Sequence, residues 1–341
     1  MDPLKLVRRN ILNLTPYSTA RDEYRGPLGV FLDANENPYP NGWNRYPDPA
    51  QRELKEILAG IKGVPAERIF IGNGSDEAID LAFRIFCEPR TDNAIAIAPS
   101  YGMYRVAAAI NDVGMREVQL RADFSLDTAA ILAAADGHTK LLFLCSPNNP
   151  SGNLFPRAEI VELLERFGGM VVLDEAYIDF ADEEGFLGEL DRWPNLIILQ
   201  TLSKAWGMAG LRLGLAFGTK EVMDVFARVK YPYNINVATQ RIVAEQLRLS
   251  VAGQVDEIKR QRRRVVEVLQ ASPAITKVHR SDSNFVLIRT PEPRRMYDTL
   301  IAAGIIVRDR SKITGCEGCL RITVGTPEEN TKLIGIIQSY R

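Results

Sequence analysis

The chain has 341 residues, 46% hydrophobic and 25% charged, with 42 Lys and Arg against 43 Asp and Glu. That length allows one large core plus a smaller unit, and the balanced charge lacks the basic footprint that nucleic acid or an anionic membrane would require. No apolar run is long enough to span a bilayer and the first residues carry no apolar signal core, so a soluble, cytoplasmic protein without membrane or nucleic-acid partners is expected.

Residues 1–27 have mixed character and read as an N-terminal arm. Residues 51–61 follow as an amphipathic helix, and the apolar run Ile69, Phe70, Ile71 as a strand. Gly-Asn-Gly-Ser-Asp-Glu at 72–77 then opens a helix over 75–87. Free amides at Ser75 and Asp76, aided by the helix dipole, would cradle a phosphate. The same loop also reads as a tight turn capped by Ser75 or Asp76. Strand-like runs follow at 94–98, 141–145, 170–173 and 196–199, with helical stretches at 101–110, 127–135 and 157–167. Continuous apolar strands alternating with helices predict an α/β fold, a mostly parallel sheet covered on both faces.

Ligands of such sheets gather at the carboxyl ends of the strands, and polar residues follow these runs. Tyr101 opens a helix where it could stack on a ring or simply pack. Ser-Pro-Asn-Asn-Pro-Ser-Gly at 146–152 is turn chemistry that also fixes Asn149 in place. Asp174 ends a buried run, which is costly unless it meets a cation, and Tyr177 stands three residues on. After 196–199 comes Thr-Leu-Ser-Lys-Ala-Trp-Gly-Met-Ala-Gly-Leu-Arg, residues 201–212. Lys204 reads as an amine in a dry pocket, with Ser203 and Arg212 placed for a phosphate and Gly207, Gly210 and Gly214 permitting close backbone approach. An amine for an aldehyde beside a phosphate site points to pyridoxal phosphate. Asp174 would then meet the pyridine nitrogen, and Asn149 and Tyr177 the ring oxygen.

A long helix over 251–270 carries the basic run 259–264, read as a solvated or salt-bridged face and not a binding patch. Strand 285–288, helix 294–303, strands 305–307 and 320–324 and a closing helix suit a smaller α+β unit. Cys316 and Cys319 form a lone C-x-x-C. With only His138 and His279 as further soft ligands, no metal site is expected, and two small residues in a turn are the plainer reading.

Several segments together carry a resemblance: 32–39, 45–48, 72–77, 146–152, 174–177, the Lys204 segment, 304–309 and 319–325. Along nearly its full length the chain resembles the fold-type I pyridoxal-phosphate-dependent aminotransferases, and within them most resembles the histidinol-phosphate aminotransferases. The resemblance implies a large domain, 28–250, with a mostly parallel seven-stranded sheet between helices, and a small α+β domain, 251–341. It implies that Lys204 holds the cofactor and moves the proton of the 1,3-shift, with Asp174 and Tyr177 beside it. Ser75, Asp76, Tyr101, Asn149, Ser203 and Arg212 would complete the cofactor site, with Tyr46 reaching the phosphate from the partner of a homodimer. Arg321, Arg308, Tyr17 and Tyr233 would bind the substrates, histidinol phosphate and glutamate or 2-oxoglutarate. Two arginines suit a pocket that must accept a phosphate and a carboxylate in turn. An aromatic amino-acid aminotransferase and, in the lyase class, a threonine-phosphate decarboxylase would carry a similar cofactor set.

Overall fold

The computed structural model describes residues 2–17 and 29–340. A 3-10 turn, Pro3–Leu6, and the one-turn helix α1, Arg9–Leu12, lay Val7 and Ile11 on the main core. Arg8 anchors them: its amide donates to Ile85 O and its guanidinium pairs with Glu88 at 3.1 Å. Most of the remaining arm expected from the sequence lies outside the described residues.

Seven strands form the main sheet: β1 Ile69–Asn73, β2 Asn93–Ala98, β3 Gly114–Gln119, β4 Thr139–Cys145, β5 Met170–Asp174, β6 Leu196–Thr201 and β7 Leu213–Phe217. Their order is β1-β7-β6-β5-β4-β2-β3. β2 to β6 run parallel, and β7 runs antiparallel to both β6 and β1. Side chains alternate across the pleat, so each strand feeds two cores. Ile71, Ile97, Leu144 and Leu173 enter one, covered by α2 Arg52–Lys62 and, later in the chain, by residues such as Ile131, Leu163 and Val243. Phe70, Ala96, Phe143 and Val172 enter the other, beneath α3 Ser75–Phe86 and α4 Met103–Ile110.

Helices α5 Thr128–Ala133 and α6 Arg157–Arg166 lie near the expected places. α7 Lys220–Val229 and α8 Val237–Gln246 were not anticipated; Thr219 and Asn236 cap them. β3 also escaped the sequence reading, because this edge strand is largely exposed and has no apolar run.

The second sheet, ordered β10-β11-β9-β8, is antiparallel throughout: β8 Lys277–Val278, β9 Phe285–Arg289, β10 Arg308–Asp309 and β11 Cys319–Thr323. Helices α9 Ala252–Ala271, α10 Pro293–Ala302 and α11 Pro327–Ser339 pack Val265, Leu269, Met296, Leu300 and Leu333 on one face, against Val286, Ile288, Leu320 and Ile322. The other face looks toward the main sheet, where Phe285 meets the Tyr177 ring edge-on at 5.2 Å. Two expectations are corrected here. The strand predicted at 305–307 begins at Arg308, because Gly304, at φ +74°, ends α10 and the chain needs the next three residues to enter the sheet. The basic run of α9 is only in part the salt-bridged face expected: Lys259 pairs with Asp182 and Arg260 with Glu257 at 2.6 Å, but Arg262 is buried and donates to Phe180 O at 3.3 Å and Ser283 O at 2.7 Å, tying α9 to a main-sheet loop and to the turn before β9.

Candidate active site

The parallel run puts the carboxyl ends of β4, β5 and β6 side by side, with Cys145 paired to Asp174 and Asp174 to Leu199. A cavity of about 140 Å³ opens there, lined by Ser75, Asp76, Tyr101, Asn149, Asp174, Tyr177, Ser203, Lys204 and Arg212 among others. Nine residues expected at the cofactor from sequence therefore converge on one space.

Local chemistry places each of them. Thr201 ends β6 and its hydroxyl accepts from Ser203 N at 3.1 Å, turning the chain so that Lys204 follows at the rim. Lys204 Nζ lies 5.7 Å from the centre of the Tyr177 ring. The pocket is less dry than the sequence suggested, since Lys204 remains exposed. Partial burial, and then Arg321, still push its ammonium below the ordinary lysine range. Of the three glycines around it, Gly207 takes φ +65° for the turn. Gly214 leaves room for the backbone of Gly74 and Ser75, whereas nothing crowds Gly210.

Asp174 is buried on the α3–α4 side of the sheet. Oδ1 accepts from Ala176 N at 3.0 Å and Oδ2 from the Tyr104 hydroxyl at 2.7 Å. Burial raises its pKa, and the Tyr104 bond works against that rise. Tyr104 was missed from sequence although it stands three residues after Tyr101, one helical turn on. It is 1% exposed and stacks on Phe143 at 4.8 Å. Tyr101 donates to Asp76 Oδ1 at 3.0 Å.

In the loop 146–152, Asn148 does the anchoring: its amide donates to Pro99 O at 3.0 Å and Ser151 Oγ at 2.7 Å. Asn149 is left to face the cavity. Its Nδ2 lies 3.5 Å from the Tyr177 hydroxyl, and its Oδ1 accepts from Arg321 Nη1 at 2.6 Å. That bond joins the two sheets at the site. Arg308 pairs across the strands with Arg321 and is exposed.

Neither Ser75 nor Asp76 caps α3. The N-cap is Gly74, and the amides of Ser75 and Asp76 reach no acceptor among the described residues. A helix start with unmet N–H groups is an anion seat. A Cβ on Gly74 would come within 2.7 Å of Arg212 Nη2, so this glycine keeps the seat open beside that guanidinium.

Pyridoxal phosphate fits what is present. Asp174 is a buried carboxylate with hydrogen-bond donors but no ion-pair partner among the described residues, and a protonated pyridine would supply one. Arg212 and the open amides match a phosphate, and Lys204 matches an aldehyde. Three expected residues stand apart. Tyr46 and Tyr233 stack on each other at 4.4 Å and do not line the cavity of their own chain. Tyr17 is 76% exposed, at the edge of the described segment. Cys316 and Cys319 are free thiols in an apolar cluster with Phe124 and Leu287, and no cluster of three or more potential metal ligands occurs among the described residues.

Residues 15–337 match the family model for aminotransferase class I and II. The chain is 52% identical over 338 residues to the histidinol-phosphate aminotransferase of Parabacteroides distasonis, covering 98% of each chain. It superposes on the histidinol-phosphate aminotransferase of Clostridium acetobutylicum with a TM-score of 0.79 at 24% identity, covering 86% of this chain and 90% of that one. For the Sinorhizobium meliloti enzyme, solved in complex with pyridoxal-5'-phosphate, the TM-score is 0.78 at 24% identity, with 86% and 83% covered. The two structures speak to the fold and the first relative to the family: the chain belongs to the class I and II aminotransferases, in the group whose members carry the name histidinol-phosphate aminotransferase.

Proposed function

We propose that this enzyme moves an amino group between histidinol phosphate and 2-oxoglutarate, with pyridoxal phosphate as cofactor, in histidine biosynthesis. The observation that carries the substrate reading is the Asn149–Arg321 bond. It holds a guanidinium with no carboxylate partner among the described residues beside the cofactor cavity, where an anionic substrate end would lie.

When bound, the cofactor supplies an aldehyde for the substrate amine and an electron-withdrawing ring. The rest is done by this chain. Ser75 and Asp76 amides, Ser203 and Arg212 hold the phosphate end. Asp174 holds the proton on the pyridine nitrogen, kept ionised by its Tyr104 and Ala176 donors against the cost of burial. Asn149 and Tyr177 meet the ring oxygen, and Tyr101 covers the ring. Lys204, its ammonium destabilised by burial and Arg321, would take the proton from the substrate Cα and deliver it to the carbon that had been the cofactor's aldehyde, which completes the 1,3-shift. Arg321 and Arg308 receive the substrate anion, with Tyr17 and Tyr233 alongside. Tyr46 serves the partner's site in a homodimer, which agrees with its absence from its own cavity. We further assign residues 28–250 and 251–341 to a large and a small domain, and place the enzyme in the cytoplasm, where its four free thiols are at home.

Single-turnover spectroscopy tests this reading. The cofactor-loaded protein should lose the visible absorbance of its lysine-bound cofactor at least about tenfold faster with histidinol phosphate than with phenylalanine, whose carboxylate offers the arginines fewer oxygens and less charge than a phosphate does. The reverse ranking would make it an aromatic aminotransferase.

A further inference from the structure

The face of the second sheet that looks toward the cavity is strongly basic. Arg308 pairs across the strands with Arg321, and Arg310 N donates to Cys319 O at 2.9 Å, while Cys319 pairs with Arg289 on the next strand. Residues directly opposite in a ladder share a face, as do alternate residues of one strand. Arg308, Arg310, Arg321 and Arg289 therefore project to the same side. Asp309 points away and binds Ser311 instead.

Three of these guanidiniums, those of Arg289, Arg310 and Arg321, have a buried Nε with no hydrogen-bond partner among the described residues. Arg321 uses Nη1 on Asn149, and Arg289 uses Nη2 on Gly315 O at 3.2 Å. Around Arg310 and Arg321 the nearby groups that favour the cation are only the Tyr177 phenol and, for Arg310, the Cys316 thiol. Burial and mutual repulsion with Arg308 act against both. Converging cations with unmet donors are stabilised by an anion larger than one guanidinium can satisfy. A carboxylate offers two oxygens and one charge, which a single bidentate arginine meets. A phosphate monoester offers three oxygens and up to two charges, leaving room for more arms.

Resting on the aminotransferase reading above, we propose that Arg310 is a specificity residue for the phosphate end of the amino substrate: it joins Arg321 and Arg308 on the dianion, while glutamate is held without it. A phosphate, being tetrahedral, extends along β10 toward Arg310, and the planar carboxylate stops at the Arg308–Arg321 pair.

The test compares wild type, Arg310→Gln and Arg310→Lys, all loaded with cofactor. Half-reactions are run with histidinol phosphate and with glutamate, and inorganic phosphate and acetate are titrated calorimetrically. Arg310→Gln should lose roughly ten- to a hundredfold in kcat/KM for histidinol phosphate, mostly through KM, and stay within about twofold for glutamate, with Arg310→Lys intermediate. Phosphate binding should weaken in step, and acetate binding should not change. Equal losses on both substrates, or none on either, overturn the proposal. If wild type ignores histidinol phosphate, the substrate reading fails, and the titrations alone decide Arg310. Selective loss of phosphate then upholds it as a phosphate arm, and parallel or absent loss rejects it.

Discussion

Asp174 and Glu175 are adjacent in sequence but point to opposite faces of the sheet. Asp174 meets Tyr104 beside the cofactor cavity. Glu175 is buried on the other side, where its carboxylate accepts from Phe186 N at 2.7 Å and Gln200 Nε2 at 3.1 Å. Tyr104→Phe removes a buried bond to a charged group, typically worth about 1.5–3 kcal/mol. The Asp174 carboxylate loses a donor, so its pKa rises further and the acid limb of the kcat–pH profile moves to higher pH. kcat should fall about tenfold while KM changes little if Asp174, as proposed, acts on the ring's electronics and not on the substrate. A uniform fall with no movement of the limb would show that Tyr104 only packs. Asp174, Asn149 and Lys204 were legible in the sequence because the first ends an apolar run and the other two follow one within a few residues. Tyr104, Glu175 and Arg310 were not, because their importance depends on which face or neighbouring strand they reach. Only the three-residue step from Tyr101 to Tyr104 offered a signal.

Among the elements, the start of α3 shows how tightly backbone can be fitted around a ligand seat. A Cβ on Gly214 of β7 would fall 2.0 Å from Ser75 N and 2.2 Å from Gly74 C, and backbone on both sides cannot give way cheaply. Gly214→Ala should lower the melting temperature by several degrees, an overpacking cost of order 1–3 kcal/mol, and weaken binding of pyridoxal phosphate more than tenfold. Thermal melts and equilibrium dialysis would read the two effects. Unchanged cofactor affinity would count against the amides of Ser75 and Asp76 as phosphate ligands. The buried strands were readable as apolar runs bounded by turns. β3 was hidden by its polar exposure, and β7 by its place directly behind the glycine-rich Lys204 segment.

For the whole molecule, stability and assembly are the measurable quantities. Burial raises the Glu175 pKa from 4.5 to about 7, with Phe186 N and Gln200 opposing the rise. The folded state thus binds this proton more tightly than the unfolded chain. The contribution is full below about pH 4.5 and is lost as pH rises through about 7, roughly 3 kcal/mol in all. Glu175→Gln should flatten that slope; melting temperatures between pH 5 and 8 would check it, and an unaltered slope would assign the linkage elsewhere. The amide could also satisfy Gln200 Oε1, which is buried without a partner. The proposed dimer needs a surface to cover: Val30, Leu32, Tyr39 and Trp43 are all more than 60% exposed, apolar side chains of the kind an interface buries. Sedimentation should find a dimer. Trp43→Asp should shift it toward monomer and lower activity in proportion, because Tyr46 would no longer reach the partner's site. Activity retained by the monomer would remove Tyr46 from the cofactor site.

The reversal of β7 has one more consequence. Because β7 runs against β6, a single turn leaves the sheet and re-enters it at the same edge, carrying Lys204 near one end and Arg212 at the other. In the proposed roles of Lys204 and Arg212, that turn would work as a ruler, its length matched to the distance between an aldehyde and a phosphate on one small molecule. Surface turns elsewhere in the chain can absorb inserted or deleted residues. Here a change in length would leave the sheet intact and mismeasure the ligand, so this turn should vary in composition during divergence long before it varies in size.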